Sequence, residues 1–174
     1  MSDERTEPEV LAEGRFLRLV RRRGWEYAER RHVTGIVILV AVTPDDELLL
    51  VEQHREAVGS TVIELPAGLA GDEPGHESES LEQAATRELL EETGWEAQSW
   101  ERLSAGPPTS GVSNEVVTLM RARDLRHHNG KAAEEGITVH TVPLAKLSSW
   151  LREREGAGTL VDPKVWAGLW FATH

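Results

Sequence analysis

The chain contains no cysteine in its 174 residues. That excludes a disulfide framework and any thiolate-ligated metal site. No apolar run approaches the roughly 20 residues that a membrane-spanning helix needs, so no membrane partner is expected. The first ten residues are acidic and polar, which is not the pattern of a secretory signal. These features together lead to the expectation of a cytoplasmic protein. Basic residues are also scarce, with 19 Lys and Arg against 30 Asp and Glu and a net charge of −11. A nucleic-acid surface needs a basic stripe; no nucleic-acid partner is expected, and an RNA-directed role such as decapping fits poorly. The same charge constrains small anions, which can bind only where bound metal or placed arginines reverse the local field. Internal repeats and low-complexity tracts are absent, and the length suits one domain with a real core.

What is present centres on Glu79–Trp95. Ser80 and Gln83 form a capping-box pattern, and Ala, Leu, Glu, Gln and Arg fill the interior. Leu81, Ala85 and Leu89 recur at one-turn spacing, and Gly94 stands where a left-handed residue ends a helix. The opposite face gathers Glu88, Glu91 and Glu92. Like charges four apart cost an isolated helix roughly 0.2–0.5 kcal/mol, and the helix C-terminus disfavours anions by roughly 0.3–1 kcal/mol each. A helix selected for stability alone would carry Lys or Arg here. A solvated acidic face is the plain reading of such a cluster; a hard divalent cation, which prefers oxygen ligands, is the functional one.

Around this helix the chain reads as alternating elements. Residues 1–14 are charged, carry Pro8 and Gly14 and have little apolar content, so a weakly ordered lead is expected. Phe16–Val20 and Trp25–Arg30 read as a two-stranded ribbon turned by Arg21–Gly24. Two strands alone are marginal in water, so the ribbon must pack on the body or on another subunit. Ile36–Val42 is an apolar, β-branched run suited to a strand buried on both faces. Pro44-Asp45-Asp46 is a turn, and Leu48–Gln53 returns as the other arm of a hairpin. Strands follow at Thr61–Leu65, Glu96–Leu103, Glu115–Ala122 and Ile137–Val142, with loops at Ala105–Asn114 and Arg123–Gly136. Pro143–Glu153 reads as a second helix and Asp162–Phe171 as a third, with Asp162-Pro163 as its cap and first residue. Strands interleaved with three helices predict an α/β/α sandwich around a mixed sheet.

Arg87-Glu88-Leu89-Leu90-Glu91-Glu92-Thr93-Gly94-Trp95 resembles the second half of the Nudix box, R-E-U-x-E-E-x-G-U with U apolar. Glu79 matches the box's first glutamate, and Glu64–Gly68 looks like the strand and loop that open it. The box pattern has five residues between its glycine and that glutamate, whereas Leu69–Ser78 supplies ten. The alternative pair, Gly71 with Glu77, restores that gap but misses Arg87 by two. Gly68 and Glu79 are taken, with an insertion in the loop 70–78, which costs little entropy. Outside the box, Trp25-Glu26 with Arg30, the run Val51–Arg55, and Gly158–Lys164 resemble the ADP-ribose pyrophosphatase branch.

The resemblance implies the Nudix α/β/α sandwich and hydrolysis of a nucleoside diphosphate linked to another moiety. It implies residues 1–31 as tail and β-ribbon arm, crossing over in a homodimer, and residues 32–174 as the hydrolase domain. The Ala67 carbonyl with Glu88 and Glu92, and Glu91 nearby or ligating, would hold Mg2+, with Mn2+ the alternative. Glu79 would orient Arg87. Glu115 matches a glutamate that acts on the attacking water, with Glu91 the rival base. Arg55 would grip a phosphate oxygen. Trp25 would stack on the nucleobase, with Glu26 and Arg30 assisting from the partner subunit. ADP-ribose is the expected substrate. That branch tends to carry a proline about fifteen residues past the box, where this chain has Ser110, so UDP-glucose and GDP-mannose are competitors. A non-catalytic nucleotide-sensing module is the remaining alternative.

Overall fold

The computed structural model describes residues 7–72, 75–128 and 133–174. Its first three strands, β1 (Glu9–Glu13), β2 (Leu17–Arg22) and β3 (Trp25–Arg30), form an antiparallel sheet in that order. Arg22 pairs with Trp25, so Arg23 and Gly24 alone make the turn. Both have positive φ, 53° and 81°, the mirror-image turn whose twist matches that of the strands. The expected weak lead is corrected here: residues 9–13 are a strand. Their low apolar content is offset by backbone pairing to β2 and by Arg21 reaching Glu9 at 2.8 Å. Residues 1–6, the rest of that expected lead, lie outside the described residues.

Four further strands follow: β4 (Gly35–Val40), β5 (Glu47–Arg55), β6 (Ser60–Glu64) and β7 (Ala67–Ala70). The first helix, α1 (Leu81–Thr93), leads to the short β8 (Trp95–Glu96), then β9 (Ser99–Gly106), β10 (Val117–Arg123) and the short β11 (Arg126–His127). Last come β12 (Thr138–Pro143), α2 (Leu144–Gly156), β13 (Leu160–Val161) and α3 (Pro163–Thr173). One mixed sheet runs β7-β4-β10-β9, a second runs β12-β5-β6-β13, and β8 pairs with β11. Helices lie on both sides. Val37 and Leu39 face a core with Ala84, Ala85 and Leu89 of α1, while Ile38 and Val40 face a core with Leu147, Leu151 and Val165 of α2 and α3. The run that carries them is therefore buried on both faces, as its composition predicts.

The expected hairpin of β4 and β5 is only partly formed. The turn is there, and Val42 bridges Leu48, but the two strands then enter different sheets. A strand has two edges. Those of β4 are taken by β7 and β10, and those of β5 by β12 and β6. Among the described residues, no helix is long and apolar enough to cross a membrane.

Three features of this architecture position the site. Antiparallel pairing of β4 with β7 sets Ile38 opposite Ala67 and Val37 opposite Gly68. Parallel pairing of β6 with β13 sets Ile63 opposite Val161 and brings the start of α3 alongside. The three-stranded sheet is tied to the loop before β10 by Ala28 N–H donating to the Val112 carbonyl at 2.8 Å.

Candidate active site

The caps of α1 form as their residues predict. Ser80 and Gln83 close a reciprocal capping box, and Gly94, at φ 73°, donates its N–H to the Leu90 carbonyl. Ala84, Ala85 and Leu89 bury one face. Two of the three carboxylates on the acidic face, Glu88 and Glu92, are withdrawn from solvent. Glu92 is 6% exposed, and its Oε2 accepts the Ala67 N–H at 2.9 Å. Glu88 Oε1 accepts the Leu69 N–H at 3.3 Å. Both carboxylates thus lie against β7. Gly68 lies between those two strand residues, and a Cβ there would fall 1.9 Å from Glu88 Cδ. Only glycine lets the strand approach the glutamate this closely. Glu77 instead accepts the Gly75 N–H at 3.1 Å on an exposed loop, so the geometry favours Gly68 and Glu79 over Gly71 and Glu77. Residues 73 and 74 of the inserted loop lie outside the described residues.

Arg87 is the cation at the centre of this face. It meets Glu79 through two hydrogen bonds of 3.1 Å, Glu88 at 2.9 Å and Glu91 at 3.2 Å, and donates to the Leu69 carbonyl at 2.9 Å. The two-point grip on Glu79 is the strong, planar form of such a pair, and it holds the Glu79 carboxyl below its ordinary pKa and the Arg87 guanidinium above its own. Glu88 and Glu92 behave oppositely. Burial pushes Glu88 up to about 7 despite Arg87, and pushes Glu92 up to about 8, with the neighbouring Glu88 adding to the rise. Desolvation favours the neutral acid, and at Glu88 it outweighs the opposing Arg87 guanidinium.

A cleft of about 320 Å3 opens over β7. It brings together Arg30, Arg55, Ala67 and Glu115, all singled out by the sequence, with Glu64, Pro108 and Lys164. Arg55 Nε meets Glu64 at 2.6 Å, and Arg30 Nε meets Glu115 at 2.8 Å. Arg30 therefore reaches the cleft within its own chain. Trp25 does not line it and is 62% exposed on the ribbon, and Glu26 pairs with Arg21 at 3.8 Å. Glu91 stands at the rim of the carboxylate face, 38% exposed and paired with Arg87. Sequence reasoning missed Glu64 and Lys164 as lining residues. No spacing connects position 164 with position 55; only the β6–β13 pairing does so.

Among the described residues, no three His, Cys, Asp or Glu side chains form a ready metal cluster. Arg87 pairs with Glu79, Glu88 and Glu91, and Glu92, the most deeply buried of the carboxylates, has Glu88 as its anionic neighbour. The donor set of Glu88 and Glu92 is all oxygen, and burial leaves their combined charge only partly compensated, by Arg87 on the Glu88 side. A hard divalent ion would supply the rest of that compensation, so the residues fit one.

The NUDIX domain family matches residues 31–160 of the sequence. The chain belongs to that family. It is 33% identical over 149 residues to an ADP-ribose pyrophosphatase of Mycobacterium tuberculosis, covering 80% of this chain and 65% of that one. It is 41% identical over 158 residues to an uncharacterized Nudix hydrolase of Schizosaccharomyces pombe, covering 82% and 74% of the two chains. A solved ADP compounds hydrolase shares the fold with a TM-score of 0.67 at 23% identity, over 97% of this chain and 90% of that one. The chain spans 57% and 46% of the length of two Bacillus relatives. The branch that the residues outside the box resemble is thus represented among the relatives by name.

Proposed function

We propose that this NUDIX protein is a Mg2+-dependent pyrophosphatase of ADP-ribose or a closely related nucleoside diphosphate sugar. ADP-ribose would yield AMP and ribose 5-phosphate. One observation carries the reading: the buried pair Glu88 and Glu92 is packed against a glycine-floored strand, beside a cleft lined by Arg30, Arg55 and Lys164. Charge buried this way is costly without a purpose. Glu88, Glu92 and the Ala67 carbonyl would hold the ion, with Glu91 adjacent. The ion's chemistry is to polarise the phosphoryl oxygens and lower the pKa of water. The chain's own residues do the remainder. Arg87 fixes Glu88 and takes its own alignment from Glu79. Arg55, set by Glu64, binds a phosphate oxygen. Glu115, set by Arg30, accepts the proton of the attacking water, whose oxygen bonds to phosphorus as the bridging oxygen leaves. Glu91 is the rival base.

Trp25 and Glu26 enter this reading through a second copy of the chain. Phe16, Leu17, Leu19 and Trp25 leave apolar surface exposed on the ribbon, which supports a homodimer in which the arm of one protomer reaches the other's cleft and Trp25 stacks on the base. A cytoplasmic location belongs to the same reading. The test is a panel of ADP-ribose, UDP-glucose, GDP-mannose and dinucleoside polyphosphates, with and without Mg2+ or Mn2+, with products identified. Metal-dependent release of AMP and ribose 5-phosphate is expected. Absence of turnover on every compound would sink the proposal, and tight binding without hydrolysis would point to the sensing module.

A further inference from the structure

The cleft over β7 is lined by three cations, Arg30, Arg55 and Lys164, and by two carboxylates, Glu64 and Glu115. In a chain of net charge −11, these three cations are the groups that an anion entering the cleft would meet. Arg30 and Arg55 are each matched by one of those two carboxylates at 2.8 and 2.6 Å. Lys164 is matched by Asp162, which is not among the residues lining the cleft.

Lys164 is also held in place. Its Nζ meets the Asp162 carboxylate, which at the same time caps α3 by accepting the Lys164 backbone N–H at 2.8 Å. Asp162 is anchored in turn, because its own N–H donates to the Ile63 carbonyl at 2.9 Å. That bond, with the pairing of Leu160 to Val62 and Val161 to Ile63, fixes the start of α3 next to Glu64, the residue that aims Arg55. The Asp162 side chain is largely covered, 14% exposed, while that of Lys164 keeps 33%. The carboxylate is thus the buried anchor, and the ammonium is the group offered to the cleft. An ammonium has three donors in flexible geometry, so it can keep its bond to Asp162 and donate to a phosphate oxygen as a second partner.

We infer that Lys164 is a substrate-binding residue, holding the diphosphate of the nucleoside diphosphate substrate jointly with Arg55, and that Asp162 is its positioning residue. This rests on the pyrophosphatase reading. The test compares wild type with Lys164→Met and Lys164→Arg in steady-state hydrolysis of ADP-ribose, alongside thermal melts. Loss of one charge-assisted hydrogen bond predicts a KM about 10- to 100-fold higher for Lys164→Met. Its kcat should change far less, because the contact is present in the ground state as well as the transition state. Lys164→Arg recovers most of the loss and melts near the wild type, while Lys164→Met, which leaves the Asp162 carboxylate without its ammonium, stays folded with a modestly lower melting temperature. A merely structural lysine would lower the melting temperature and leave KM alone, so an unchanged KM in a folded variant overturns the inference. Should Lys164→Met fail to fold, Lys164→Gln takes its place under the same criteria. Wild-type protein inactive on every nucleoside diphosphate overturns the underlying reading, and this inference with it.

Discussion

Replacing Glu92 with glutamine separates the cost of the carboxylate pair from its use. In the metal-free protein burial raises the Glu92 carboxyl from its ordinary 4.5 to about 8, and that of Glu88 from 4.5 to about 7. The folded state therefore binds protons that the unfolded chain has already released. The contribution of these two groups to stability is accordingly greatest at acid pH and falls as pH rises from the unfolded value, near 4.5, through the folded values. For Glu92 alone, at roughly 1.36 kcal/mol per pH unit, the penalty above its folded value has a ceiling on the order of 5 kcal/mol. The two groups titrate as a coupled pair, and the amide that replaces the carboxylate still offers an oxygen to the Ala67 N–H. Glu92→Gln should then stabilise the metal-free protein by about 2–4 kcal/mol at about pH 8.5 and by less than about 1 kcal/mol at about pH 5. Urea unfolding at both pH values, in chelator, measures this directly. Saturating Mg2+ should reverse the order, stabilising the wild type and leaving the variant nearly unmoved, while the variant loses most of its hydrolysis. A variant no more stable than wild type in chelator at the higher pH, or one equally stabilised at both, would refute the reasoning.

Gly68→Ala places a methyl group inside the Glu88 carboxyl; we expect a loss of about 1–3 kcal/mol in thermal unfolding and a weakened response to added Mg2+, and an unaltered melt would show that the strand yields freely. Arg87→Ala leaves Glu79, Glu88 and Glu91 without their shared guanidinium. That should cost about 2–4 kcal/mol in urea unfolding at neutral pH, and a cost below about 1 kcal/mol would mean that solvent already screens the cluster. Glu115→Gln should lower kcat by about 10²–10⁴-fold with little change in KM if Glu115 is the base; retained turnover, with loss in Glu91→Gln instead, would transfer the role to Glu91.

Much of this was legible in one dimension because its causes are local. The capping box at Ser80, the left-handed stop at Gly94 and the Asp162-Pro163 start of α3 each satisfy backbone groups within a few residues, and each formed as read. The run 36–42 announced its double burial by composition. Local signals failed where partners are distant. Residues 9–13 look like a solvated lead until β2 presents them with an edge. The arm of residues 48–53 looks like half a hairpin until β6 and β12 occupy both of its edges.

The sequence by itself determined which groups carry charge and how they repeat along α1, because a helix converts a spacing of four into adjacency without help from the rest of the chain. It could not determine what that charge would feel. Tertiary structure alone decided that Glu88 and Glu92 lie under β7 rather than in water, that Arg30 meets Glu115 across 85 positions, and that Lys164 joins Arg55 in one cleft. Burial and field depend on everything that packs nearby, and those neighbours come from strands far apart in the chain.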